Sequence, residues 1–184
     1  GVFRQLEIPA ILLKGIGVAG YYPDPSLRMT GDIDLYVPEG FTRAQAWFTE
    51  HAEVLARGRG YLKILYRTVP VELHTRAIEL PTRMHSRNSW TGVQPDIRSN
   101  DRNTEYCVPD PDSEAILLLT HPFKHLFAWG LGVRHLCDWA VFLEKRHRQI
   151  DFRRVHHYLR TTRMERFVSA FTALAVERLG LDPQ

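Results

Sequence analysis

Gly31-Asp32-Ile33-Asp34-Leu35-Tyr36-Val37 places two carboxylates one residue apart at the head of an apolar run. Side chains of an extended strand alternate between faces, so Asp32 and Asp34 point one way while Ile33, Leu35 and Val37 point into a core. Two like charges this close repel and are costly to hold without a cation between them. Hard oxygen ligands of this kind suit Mg2+ or Mn2+ better than softer metals. The stretch therefore reads as a half-buried strand carrying two ligands of a metal site, with a third carboxylate to be found elsewhere.

Upstream, Ile8-Pro9-Ala10-Ile11-Leu12-Leu13 is a short apolar run ended by Lys14-Gly15, which predicts a buried strand and then a short helix from Ile16 to Tyr22. Pro23 and Pro25 stop that helix, and Leu27 to Gly31 lead as a loop into the aspartate strand. Downstream, Phe41, Ala44, Trp47, Phe48 and Val54 recur at mostly helical spacing, predicting a helix over 41 to 55 with Thr42 as its cap. Tyr61 to Tyr66 and Val69 to His74 read as two strands joined by Arg67-Thr68. In the second, Val69, Val71 and Leu73 alternate with Pro70, Glu72 and His74, which puts Glu72 on the polar face.

Residues 75 to 110 are rich in Arg, Asn, Ser, Thr and Pro and show little periodicity, so a long excursion is expected there, with a helix near 80 to 87. From Asp112 the pattern turns helical, with Ser113 as a candidate cap for Glu114 to Phe127 and further helices over 131 to 147, 151 to 161 and 164 to 179. The expected fold is α/β of the α+β kind. A small mixed sheet with flanking helices fills residues 1–108, a helical bundle fills 109–184, and a cleft lies between the two lobes.

A chain of 184 residues with 44% hydrophobic content can bury a substantial core. Its formal charge of +3 suits an anionic substrate, but 24 basic against 21 acidic residues is too even a balance for a dedicated binder of long polyanions. Cys107 and Cys137 lack CxxC spacing and no signal-like segment opens the chain, so both are expected as reduced thiols in a cytoplasmic protein. No run approaches the roughly 18 apolar residues of a membrane-spanning helix. The chain opens at Gly1 rather than at a methionine, which suggests trimming of a preceding portion able to hold a further helix.

Glu72 on a strand beside the aspartates would bring three carboxylates to one side of the sheet, with Lys14 and Gly15 at the end of the neighbouring strand. Such an arrangement suits two-metal phosphoryl chemistry, in which a glycine turn lets backbone amides approach phosphate. Leu12-Leu13-Lys14-Gly15, then Arg28, then Asp32-Ile33-Asp34-Leu35, then Val71-Glu72-Leu73-His74 resembles the DNA polymerase beta type nucleotidyltransferase superfamily, in particular its uncharacterised bacterial nucleotidyltransferase branch. His121-Pro122-Phe123-Lys124-His125 and Gly132-Val133-Arg134-His135-Leu136-Cys137-Asp138-Trp139 are similar to helices of the same branch, so the likeness covers nearly the whole chain.

The resemblance implies Mg2+-dependent transfer of a nucleotidyl group from a nucleoside triphosphate to an acceptor, with pyrophosphate leaving. Asp32, Asp34 and Glu72 would be the catalytic metal ligands, and Glu72 would help activate the acceptor hydroxyl. Superfamily members carry Gly-Ser or Gly-Gly at the phosphate turn, whereas here Ile16 follows Gly15; Lys14 and Arg28 are the cations on hand for phosphate oxygens. His74, two residues beyond Glu72, shares its face, and Arg134 is a further candidate substrate contact. The acceptor, whether small molecule, protein or nucleic acid, is not specified by the chain.

Plainer readings stand beside these. Asp32 and Asp34 could cap a helix, Glu72 could pair with Arg67, Arg28 with an aspartate, and Arg134 with Asp138 one turn on. His121 and His125 share a helix face at a spacing that can chelate Zn2+, but no third ligand of matching spacing is evident, so the pair reads as structural. Phe123, Phe127, Trp129, Trp139 and Phe142 read as core rather than as a base-stacking platform. Two rival functions follow. One is a catalytically silent nucleotide-binding or interaction module of the same fold; the other is a metal hydrolase built on His121, His125 and Asp138.

Overall fold

The computed structural model describes residues 1–78, 80, 90, 92–99, 105–128 and 130–182. The chain forms two compact units, one of residues 1–77 with 95–109 and one of residues 78–94 with 110–184.

The first unit is built on a five-stranded mixed sheet. Its strands are β1 (Ile11–Leu13), β2 (Ile33–Tyr36), β3 (Glu53–Gly58), β4 (Tyr61–Tyr66) and β5 (Val69–His74), in the order β1-β2-β5-β4-β3. β2 and β5 run parallel; every other neighbouring pair is antiparallel. Alternation sorts the two faces. Leu35, Leu62, Ile64, Val71 and Leu73 are buried together with Ile8, Val37, Ala44 and Phe48. The helix α1 (Val2–Gln5) adds Val2 and Phe3 to this core, and α3 (Phe41–His51) adds Phe41 and Trp47. The polar residues between them face the other way.

Local chemistry accounts for the connections. Arg67 and Thr68 both take positive φ, 48° and 68°, as a two-residue hairpin with the twist of its strands requires. Lys14, at φ 49°, and Gly15, at φ 35°, make the sharp exit from β1 into the short α2 (Gly15–Ala19). A Cβ on Gly17 would lie 3.3 Å from both the Leu12 carbonyl oxygen and Val108, so a hydrogen at this position lets α2 lie close to the sheet.

Several expectations shift. The helix after β2 stops at His51, and residues 53–58 form the edge strand β3, exposed along its whole length, with a register shift between Val54 and Ala56. α3 is capped at Gly40, with φ 75°, rather than at Thr42. The excursion contains an antiparallel pair, β6 (Pro95–Ser99) and β7 (Glu105–Pro109), and the helix expected near 80 to 87 falls almost wholly outside the described residues.

The second unit holds α4 (Pro111–Ala128), α5 (Val133–Arg146), α6 (Phe152–Thr161) and α7 (Glu165–Leu179), close to the expected spans. α4 is buried on all sides from Asp112 to Thr120, as befits a central helix. The Asp110 carboxylate accepts the Ser113 N–H at 3.2 Å, so the cap is Asp110; the Ser113 hydroxyl instead accepts from the Trp90 indole at 2.8 Å. Asp112 accepts from the Asp151 N–H at 2.8 Å and from the Arg154 guanidinium at 3.2 Å, tying α4 to the start of α6. Phe123, Trp139 and Phe142 are buried; the Phe127 side chain and Trp129 lie outside the described residues. Cys107 and Cys137 remain thiols. Among the described residues no helix is long and apolar enough to cross a membrane.

Leu73 is fully buried at the centre of the sheet. Leu73→Ala is expected to cost about 2–5 kcal/mol by leaving a cavity, read as a lower midpoint in denaturant unfolding.

Candidate functional site

Strand register assembles the polar face. Leu13 pairs with Asp34, Asp34 with Glu72, and Glu72 with Lys63, so one row crosses four strands. The next row pairs Tyr36 with His74 and His74 with Tyr61. Parallel pairing of β2 with β5 thus sets two carboxylates side by side, and His74 follows on the same face.

Cations surround them. Lys14 Nζ lies 3.1 Å from Asp34 Oδ2, and Lys63 Nζ donates to Glu72 Oε1 at 2.7 Å. His74 Nε2 bridges the pair, 3.1 Å from Asp34 Oδ1 and 3.5 Å from Glu72 Oε2. These contacts tune the two carboxylates and the imidazole. The His74 hydrogen bond and the nearby Lys63, working against burial, bring the Glu72 carboxyl down to about 2. Burial pushes the Asp34 carboxyl up, but His74 and Lys14 outweigh it and the net direction is down. Burial also opposes the charge on His74, yet the two carboxylates raise its pKa above the ordinary histidine value.

Asp32 stands apart. It lies just ahead of β2, and burial followed by repulsion from Asp34 and Glu72 raises its carboxyl above the usual range. Burial is the larger cause, and the two neighbouring carboxylates add to it against the opposing pull of Lys14 and Lys63.

Among the described residues, Asp34, Glu72 and His74 bring one ligand atom each within 4.8 Å of one another. Lys14 joins this group directly, and Gly15 forms the turn beside it. The Arg28 guanidinium donates to the Met29 carbonyl oxygen. Arg134 is exposed on the first turn of α5, in the second unit.

Lys63 was not anticipated. Its signal was present, because the two-residue turn at Arg67-Thr68 pairs Tyr66 with Val69 and, counting outward, Lys63 with Glu72. Glu72 is therefore matched by Lys63 across the hairpin. His135 was missed as well; with His121 and His125 it forms a second group of possible metal ligands, in the helical unit.

Proton linkage at this site has a definite sign. The stabilisation His74 draws from its proton is complete below about 6.5 and is lost as pH rises through its raised folded value. That of Glu72 is complete above 4.5 and is lost as pH falls towards about 2. In an NMR titration of metal-free protein, the His74 imidazole should titrate above 6.5. In Asp34→Asn, where burial is opposed by one carboxylate fewer, its pKa should fall.

Comparison with known proteins places the chain. A family described as uncharacterised nucleotidyltransferase matches residues 1–180. Among solved structures, the chain is similar to an antigenic nucleotidyltransferase-like protein from Paracoccidioides brasiliensis, at 15% identity over 78% of this chain and 71% of that one, with a TM-score of 0.49. No curated protein matches it. With all but its last four residues spanned by the family match, the chain belongs to the uncharacterised nucleotidyltransferases.

Proposed function

We propose that the first unit carries a Mg2+-dependent site for nucleotidyl transfer from a nucleoside triphosphate to an acceptor hydroxyl or phosphate. The observation that carries this reading is the row in which β2 sets Asp34 beside Glu72, with Asp32 crowded by both and the Lys14-Gly15 turn alongside.

The donor set fits a hard divalent ion. Asp34 and Glu72 offer carboxylate oxygens beside the His74 imidazole, which Mn2+ would also tolerate, and Asp32, outside that close group, would supply the third carboxylate. When bound, such an ion supplies charge neutralisation at the phosphates and acidifies an acceptor hydroxyl. The residues divide the remaining work. Lys14, now on Asp34, is a flexible ammonium able to turn to a phosphate oxygen once the carboxylate has another partner, and Gly15 keeps the turn beside it free of a side chain. Arg28 offers a planar guanidinium to the triphosphate. His74, with Nε2 between two carboxylates, can hold or pass on a proton there. Arg134 is a candidate acceptor contact.

One observation favours a second reading, a silent nucleotide-binding module of the same fold. Asp34 and Glu72 are already matched by Lys14 and Lys63 at 3.1 and 2.7 Å, so the carboxylates are neutralised within the protein.

Calorimetric titration of each nucleoside triphosphate with and without Mg2+ separates the two. The enzyme reading expects Mg2+-dependent binding, weakened about 100-fold or more in a folded Asp34→Asn variant, a loss at or beyond the 10–100-fold typical of outer-shell changes. Binding that ignores both Mg2+ and Asp34→Asn would select the silent module.

A further inference from the structure

We infer that the helical unit holds a second metal site, for Zn2+ or a similar borderline-soft divalent ion, formed by His121 and His125 of α4 and His135 of α5. One ligand nitrogen from each lies within 4.8 Å of the others. Ring centroids are 4.4 Å apart for His121 and His125, 5.3 Å for His121 and His135, and 5.1 Å for His125 and His135. No two rings are stacked; their planes meet at 62°, 76° and 43°.

These spacings are near those that coordination requires. Zn–N bonds of about 2.0–2.1 Å put each ring centre ~3.2 Å from the ion and, at tetrahedral angles, neighbouring ring centres ~5 Å apart. A small closure therefore completes the set. Three imidazoles suit Zn2+, Ni2+, Co2+ or Cu2+ and are poor ligands for Mg2+, so this site differs in chemistry from the acidic row.

The local structure is arranged around the three rings. His121 and His125 stand one turn apart on one face of α4. Between them is Pro122, which has no N–H to give the Leu118 carbonyl and so loosens the helix at this turn. His135 is buried in the first turn of α5, and the Gly132 N–H meets its Nδ1 at 3.3 Å. Coordination through Nε2 would put the imidazole proton on Nδ1 and release that long contact. Asp138, anticipated as third ligand, is not in the group; His135 takes its place. Three protein nitrogens leave a fourth tetrahedral position for water, the pattern of an open rather than a closed zinc site.

The test is calorimetry of Zn2+ into chelator-stripped full chain, alongside thermal unfolding. The expected result is one equivalent bound with a rise in Tm. His121→Ala and His125→Ala, at half-buried positions, should each weaken binding about 100-fold or more while circular dichroism stays native. His135→Gln checks the buried ligand, and Asp34→Asn in the sheet should bind Zn2+ as the parent does. Absence of one-to-one binding would overturn the inference. So would affinity unchanged in folded His121→Ala and His125→Ala, or lost in Asp34→Asn.

Discussion

Parallel pairing of β2 with β5 is the constraint on which the first unit depends. It puts Leu35 against Leu73 on one face and Asp34 against Glu72 on the other, so one set of backbone hydrogen bonds builds both the core and the site. Because side chains alternate with period two, sliding β2 by one residue against β5 would turn Asp34 into the core and Leu35 out of it. Burial of those leucines thereby holds the charged row in place. The acidic face is stabilised by apolar groups it never touches.

Within that row, like charges persist because opposite charges are supplied from both sides. β4 brings Lys63 to Glu72, and the turn after β1 brings Lys14 to Asp34. His74 shares its proton between the two carboxylates. Asp32 is the carboxylate of the three that burial, with added repulsion from Asp34 and Glu72, shifts towards its neutral form. On the proposed function, such a site would work by exchange: an incoming cation would compete with ammonium groups, and the displaced lysines would become available to an anionic ligand.

What the sequence makes legible is what local periodicity governs. Alternation around Asp34 and Glu72 identified their face, and helical spacing from residue 112 onward recovered four helices nearly to their ends. Failures arose where local pattern is silent. β3 carries Val54 and Leu55, but all six of its residues are exposed, so no apolar face distinguished it from the tail of the preceding helix. β6 is bounded by a proline and leaves Ile97 67% exposed, which hides its alternation. The caps at Gly40 and Asp110 won over hydroxyl residues two and three positions later, Gly40 through its left-handed backbone and Asp110 through its carboxylate. His135 could be joined to His121 only through the packing of two helices, which no spacing along one helix encodes.

Separation along the chain gives the acidic site a place in time. Lys63 and Glu72 are 9 positions apart and meet across a hairpin, whereas Asp34 and His74 are 40 apart and meet through a crossover. Closing the longer loop costs more entropy and is compensated only after apolar contacts have formed. The β3-β4-β5 meander is thus the part that chain entropy favours early, and β2 joins it late. Until β2 is in place Glu72 has its lysine but not its carboxylate neighbour, so the divalent-ion site of the proposed function would be complete only once the sheet is whole.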